Sequence, residues 1–274
     1  MSKIKVGLIQ MKVKDKKEDN LHKAARLIDN ICKEDVDMVI LPEMFSCPYN
    51  TKNFPIYAEE EGDYSYKLLS EISKRNNIYL IAGSIPEKEG SNIYNTSYVF
   101  NRQGEKIAKH RKIHLFDIDI KNKQRFRESD TLSAGDKVTV FDSEFGKIGL
   151  CICYDFRFPE LARLMVDKGA KAIIVPASFN MTTGPAHWDI MFRSRAIDNQ
   201  VYTIGCSPAR DYDYSYISYG HSLIVSPYGD ILCELDEKEG SITYDIDLDY
   251  VDEIREQLPL LKHRRSDLYE LLEK

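Results

Sequence analysis

The sequence predicts an α/β fold that mixes parallel and antiparallel pairing, and two observations carry this. Short apolar runs with the period-two pattern of strands alternate along the chain with segments of helical periodicity. Turn signals at 101–104 and 144–146 join flanking strand patterns into hairpins, so βαβ units are not the whole plan. Residues 4–10 read as the first strand. The charged run KDKKED at 14–19 reads as a solvated loop or helix start, and 20–33 as a helix with Leu21, Ala24, Ala25, Leu27, Ile28 and Ile31 inward. A strand at 37–41, a helix at 65–75 and a strand at 78–84 follow. Strands at 94–101 and 106–110 flank the first hairpin turn, and strands at 137–142 and 147–152 the second. Next come a helix to about 168, a strand at 172–176, a helix at 185–198 and a strand at 202–206. Strands at 218–226 and 230–235 surround the turn SPYGD. The last strand, 241–246, precedes a helix from about 250. No internal repeat is visible.

A length of 274 residues fits one large domain or two small ones, and no Pro/Gly/Ser-rich linker divides the chain, so a single domain over 1–274 is expected. Hydrophobic content of 43% is ample for a core. A net charge of −6 gives no sign of a nucleic-acid surface. The start carries no signal-peptide pattern and no apolar run reaches membrane-spanning length. The six cysteines show no disulfide framework; Cys151 and Cys153 form C-x-C, not C-x-x-C. A cytoplasmic protein with reduced thiols is expected. No metal is expected, because the histidines and cysteines show no ligand spacing, and no cofactor, because no phosphate-cradling glycine motif appears.

The stretch KIGLCICYDFRFPE, 147–160, is the most informative. Ile148, Leu150 and Ile152 alternate as in a strand, and Pro159 and Glu160 suit the first turn of a helix. Cys153 therefore sits on a strand-to-helix elbow, where helix N–H groups can stabilise a thiolate and later an oxyanion. The plainer alternative is a small buried hydrophobe. In MVILPEMF, 38–45, Glu43 directly follows an apolar strand. Desolvation there raises a carboxyl pKa and suits general-base work, whereas a salt-bridged or capping glutamate is the alternative. HRKIHLFD, 110–117, places Lys112 between basic neighbours and an apolar run; a lone lysine is nearly always a solvated surface charge, and the apolar run allows a pocket position as the alternative.

These three segments, in this order and at these spacings, resemble the nitrilase, or carbon–nitrogen hydrolase, superfamily, whose Glu–Lys–Cys triad matches Glu43, Lys112 and Cys153. The resemblance runs on through NIYLIAGSIPE at 77–87, RFRESDTLSAGD, SFNMTTGPAHWD, RSRAIDNQVY, SPARD and RRSDLY, a density similar to the ω-amidase branch. It implies an α-β-β-α sandwich that dimerises through helices on one face. It also implies hydrolysis of the terminal amide of 2-oxoglutaramate or 2-oxosuccinamate through a cysteine thioester. Cys153 would attack, Glu43 would move the proton, and Lys112 with the Tyr154 backbone N–H would hold the oxyanion. Glu128 matches a second glutamate beside the triad, with a surface glutamate as the alternative. Tyr49, Phe179, Met181 and Thr183 match pocket positions, although Phe179 and Met181 also fit a core.

The far carboxylate of such a substrate needs a cation. Arg157, four residues past Cys153, is the first choice, with a pair to Glu160 as its alternative. Asp189 and Arg193 read as an i,i+4 ion pair, and His187 and Trp188 as packing residues. The loop 116–129, without clear period, reads as a lid or an ordinary surface loop, and the tyrosine run 211–220 as a partly exposed loop and strand start. Other functions compete: a deaminated-glutathione amidase of the same superfamily, with N-carbamoyl amine hydrolases and true nitrilases ranked lower because the match outside the triad is poorer, a non-catalytic binding protein on the same fold, and a redox sensor using Cys151 and Cys153.

Overall fold

The computed structural model describes residues 3–121 and 124–274. In chain order the elements are β1 (Lys3–Gln10), α1 (Lys17–Ile31), β2 (Met38–Ile40), α2 (Phe54–Tyr57), β3 (Glu59–Glu60), α3 (Tyr64–Asn76), β4 (Tyr79–Ile81), β5 (Ile85–Glu89), β6 (Asn92–Phe100) and β7 (Lys106–Arg111). There follow β8 (Asp117–Ile120), β9 (Gln124–Arg127), β10 (Thr139–Ser143), β11 (Gly146–Leu150), α4 (Pro159–Asp167), β12 (Ala172–Pro176), α5 (Gly184–Asn199), β13 (Tyr202–Cys206), β14 (Leu223–Val225), β15 (Ile231–Glu234), β16 (Gly240–Asp247) and α6 (Asp249–Gln257).

Two sheets form. The first runs β16-β1-β2-β4-β6-β5-β3, with β7 also on β6; the second runs β10-β11-β12-β13-β14-β15. Within them β1-β2-β4 and β11-β12-β13 are parallel, and the flanking pairs are mostly antiparallel, as the hairpin signals predict.

Side-chain alternation builds the layers. Ile4, Val6, Leu8, Met38, Ile40 and Ile81 of the first sheet meet Ile148, Leu150, Ile174, Ile204 and Ile224 of the second in a core between the sheets. The outer face of the first sheet (Ile9, Val39, Leu80) packs on Leu21, Ala24, Ile28, Leu69 and Ile72 of α1 and α3. The outer face of the second (Cys151, Ile173, Val175) packs on Leu161, Met165, Trp188 and Phe192 of α4 and α5. This is an α-β-β-α sandwich. Gly205 on β13 shows how close the last layer comes: a Cβ there would lie 2.5 Å from the Phe192 ring.

Three readings change. Only Leu223–Val225 of the expected strand 218–226 is regular, with one isolated bridge from Ser218 to Asn180. Within 116–129, β8 and β9 pair as an antiparallel hairpin that the mixed charge pattern hides. The middle of that expected lid, 122–123, lies outside the described residues. Asp189 and Arg193 form no ion pair among the described residues, because the Arg193 Nε instead donates to the Gly229 carbonyl at 2.8 Å.

Candidate active site

Two of the three expected side chains, Glu43 and Cys153, stand at the carboxyl ends of parallel strands, where open α/β sheets present ligands, and Lys112 reaches them from the end of an antiparallel strand. Glu43 follows β2, Cys153 follows β11, and Lys112 leaves β7. Each is held by its backbone. Met44, next to Glu43, has φ +51, and its N–H donates to Ser84 Oγ at 3.0 Å. Gly83, with φ +46, lets that turn approach; a Cβ there would sit 2.2 Å from the Pro42 carbonyl oxygen. Lys112 donates its N–H to the Asn95 carbonyl, and its own carbonyl accepts from Gly135, both at 2.8 Å. Cys153 has φ +48, the left-handed region that costs a side-chain-bearing residue energy and recurs where function needs an exact direction.

Glu43, Lys112 and Glu128 are fully buried and form one cluster. Lys112 Nζ donates to Glu43 Oε1 at 3.0 Å and to Glu128 Oε1 at 3.0 Å, and lies 2.9 Å from Glu128 Oε2. The Tyr49 hydroxyl lies 2.5 Å from Glu128 Oε1 and 3.1 Å from Glu43 Oε1. The Asn95 amide donates to Glu43 Oε1 at 2.8 Å, and Phe116 N–H donates to Glu128 Oε2 at 2.7 Å. Glu128 is thus no surface residue. The remaining oxygen of Glu43, Oε2, is buried without a hydrogen-bond partner among the described residues.

Electrostatics match the geometry. Burial, then the charge of Glu43, pushes the Cys153 thiol well above its ordinary pKa, with Lys112 and the Ser178 backbone N–H opposing. Both effects favour the protonated sulfur. Burial likewise raises Glu43, against the pull of Lys112. Lys112 is held above its ordinary value, because the charges of Glu128 and Glu43 outweigh the burial that disfavours its ammonium. An ammonium, a carboxyl group and a thiol then share one buried site.

Asp155 was not singled out from the sequence, yet it locks the elbow to the lysine segment. Its Oδ2 accepts from Ile152 N–H at 3.1 Å and lies 3.0 Å from His110 Nε2. Its Oδ1 accepts from Ile113 N–H at 3.1 Å and His114 N–H at 2.8 Å, with His114 Nδ1 at 2.9 Å. These donors hold its carboxyl well below the usual range despite complete burial. Asn95 and Tyr216 were also missed. Tyr216 stacks on Tyr49, with ring centroids 4.4 Å apart, and faces the Cys153 cleft.

That cleft is lined by Cys153, Tyr154, Arg157, Phe179 and Thr183 among others, so these expected residues come together. Met181 does not join them; it stands 38% exposed outside. Phe179 serves two ends: it is buried against Trp188, and its ring lies 4.6 Å below the Arg157 guanidinium. Arg157 forms no ion pair among the described residues, with Glu160 or any other carboxylate, and hydrogen-bonds His187 Nδ1 at 3.0 Å. Among the described residues no group of three or more His, Cys, Asp or Glu is placed to hold a metal ion, and no helix is long and apolar enough to cross a membrane.

The sequence pattern of the carbon-nitrogen hydrolase family matches residues 5–256. The chain belongs to the carbon-nitrogen hydrolase family. Omega-amidase NIT2-B of Xenopus laevis is 50% identical to this family member over 274 residues, covering 100% of this chain and 99% of its own length. Omega-amidase NIT2 of Homo sapiens is 46% identical over 269 residues, 98% of each chain. Among solved structures, Saccharomyces cerevisiae Nit3, a member of branch 10 of the nitrilase superfamily, superposes with a TM-score of 0.89 at 44% identity, covering 96% of this chain and 97% of that one.

Proposed function

We propose that this carbon–nitrogen hydrolase is an ω-amidase that cleaves the terminal amide of a short 2-oxo dicarboxylic acid monoamide, such as 2-oxoglutaramate or 2-oxosuccinamate. The observation that carries the substrate class is Arg157: a cation in the Cys153 cleft, stacked on Phe179, with no carboxylate of its own. Leaving a buried substrate carboxylate unpaired is costly, and a guanidinium fork matches it.

In the first half-reaction Glu43 takes the Cys153 proton as sulfur attacks the amide carbon. The tetrahedral oxyanion rests against Lys112 and the Tyr154 N–H, a kind of donor worth on the order of a hundredfold or more in rate. Glu43 then passes the proton to the leaving nitrogen, the C–N bond breaks, and ammonia and a thioester remain. In the second half-reaction water attacks the thioester carbon and gives a proton to Glu43; the C–S bond breaks, the proton passes to the Cys153 sulfur, and the 2-oxo acid leaves. Glu128 and Tyr49 hold Lys112 and Glu43 in register.

The same reading carries two further expectations. Pairing with a second copy is supported by Ile190 and Ile197, two turns apart on α5 and 65% and 42% exposed, and sedimentation equilibrium tests it. Work in the cytoplasm is supported by six free thiols. The deciding experiment is ammonia release from 2-oxoglutaramate, 2-oxosuccinamate, deaminated glutathione, glutamine and a simple nitrile. The two oxo acid monoamides should lead; a higher kcat/KM on deaminated glutathione would replace this reading.

A further inference from the structure

One helix holds Arg157 at both ends. His187, Met191 and Arg195 are spaced four apart on α5 and so share a face. Arg157 Nη1 donates to His187 Nδ1 at 3.0 Å and lies 3.6 Å from Met191 Sδ, while Arg195 Nη2 donates to the Arg157 carbonyl at 3.0 Å. The Phe179 and Tyr154 rings lie 4.6 and 5.7 Å from the guanidinium carbon. Arg157 lines the Cys153 cleft and His187 does not, so His187 meets a bound substrate only through Arg157. Expected to pack, His187 is instead exposed, and solvent protons reach it.

The direction of the hydrogen bond fixes the state of the imidazole. A guanidinium only donates, so Nδ1 is the acceptor, the ring is neutral and its proton sits on Nε2. A proton on Nδ1 would delete the acceptor and set one cation against another. Histidine is the side chain whose charge ordinarily changes between about pH 5 and 8. No carboxylate among the described residues pairs with His187 to offset that charge; the histidines so paired are His110, His114 and His221. From α4, Glu160 acts on Arg195, and on α5 itself Asp198 pairs with Arg195 and Asp189 acts on Tyr219, which packs against the start of the helix at Gly184.

We propose that neutral His187 is a positioning residue for substrate selection: it holds the Arg157 fork ready for the carboxylate of the oxo acid, and its protonation lets the fork go. The inference rests on the ω-amidase reading of Arg157 above. An arginine left free must be ordered as substrate binds, at the expense of affinity, whereas one already held is preorganised. The far carboxylate takes no part in bond breaking, so losing this support should raise KM and leave kcat.

The test measures kcat and KM on 2-oxoglutaramate and on its uncharged methyl ester. At about pH 8, His187→Ala should raise KM on the acid about tenfold with kcat within about twofold, and should move kcat/KM on the ester by less than about twofold. His187→Asn, whose side-chain oxygen can stand where Nδ1 stood, should recover most of the loss. As pH falls, the ratio of kcat/KM on acid to that on ester should drop about tenfold in wild type and stay level in His187→Asn; the acid limb of Glu43 is common to both substrates and cancels. In an Arg157→Met background, His187→Ala should cost less than about twofold, because its partner is already gone. Retained turnover of the ester shows that each variant is folded. Equal losses on acid and ester, a full additional loss in the Arg157→Met background, or a wild-type ratio that ignores pH overturns the proposal and leaves the amidase reading intact. If Arg157→Met itself loses equally on both substrates, or the wild type releases no ammonia from 2-oxoglutaramate, the reading beneath it fails as well.

Discussion

Lys112→Met keeps the length of a fully buried side chain and deletes its charge. In the native cluster Nζ lies 3.0 Å from one carboxylate and 2.9 Å from another. At an effective dielectric of ~20, each such pair is worth about 5 kcal/mol of attraction, most of it offset by the desolvation of three charges. Removing the lysine abolishes the attraction and leaves Glu43 and Glu128 buried together, bridged by Tyr49. The expected loss of stability at pH 7 is about 3–5 kcal/mol, the cost of breaking a buried pair from one side. The sign of its pH dependence follows. Without the cation, like-charge repulsion adds to burial and raises at least one folded carboxyl pKa above its unfolded value. The folded variant then binds more protons than the unfolded chain, so its stability falls as pH rises through that window and recovers as pH drops, by up to about 1.4 kcal/mol per unit. Urea unfolding at pH 7 and pH 5 measures both the loss and the recovery. Adding Glu128→Gln to Lys112→Met should restore part of the stability and none of the turnover. A loss below about 1 kcal/mol, equal at both pH values, would refute the claim that the three residues form one electrostatic unit.

Cys153→Ala should abolish acyl-enzyme formation by mass spectrometry with the fold intact, whereas Cys151→Ala, which changes a core thiol on the outer face of the second sheet, should keep most activity; the reverse would move the nucleophile. Arg157→Met should lose about 2–5 kcal/mol in kcat/KM on 2-oxoglutaramate and far less on a neutral amide, and equal losses on both would make Arg157 a support of the elbow. Because burial raises Glu43, its ionised form is lost as pH falls through that raised value; the acid limb of kcat/KM should lie above the ordinary glutamate value of about 4.3, and a limb at or below it would remove Glu43 as the base. Glu87, buried against Arg111 and Lys109, is held down to about 2. Its contribution should be present above the unfolded carboxyl value and be lost as pH falls toward 2, so Glu87→Gln should flatten the acid side of the stability curve.

What the sequence made legible is local. The strands at 172–176 and 202–206 have the bounds their apolar runs indicate, and the elbow at Cys153 shows in one strand, one sharp turn and Pro159. What stayed hidden depends on partners far along the chain. Glu128 was marked by resemblance alone, since it sits in a charged stretch, and the approach of Lys112, the Tyr49 hydroxyl and Phe116 N–H, which makes its burial tolerable, is not written locally. Asn95 looks like any strand residue until Glu43, 52 positions away, is beside it. The Asp189–Arg193 spacing was right for a helix, yet the guanidinium found a loop carbonyl instead. Local spacing fixes which side chains can meet, and tertiary competition decides which do.

The same competition explains how a site built on loops stays rigid. Glu43, Lys112 and Cys153 stand on three separate turns after strands of two different sheets, and positioning chemistry needs them held to within about 0.5 Å. Neither sheet alone fixes that distance. Two buried carboxyl groups, Glu128 and Asp155, do so. Glu128 clasps Lys112 by its ammonium and the following segment by Phe116 N–H. Asp155 ties that same segment, through His110, Ile113 and His114, to the backbone at Ile152 immediately before Cys153. Lysine segment and elbow are thereby one hydrogen-bonded body. The strained backbone at Cys153 can persist because the donors around Asp155 leave the turn few alternatives. The cost of burying these charges is met only when every partner is in place, so the site assembles as a whole or not at all.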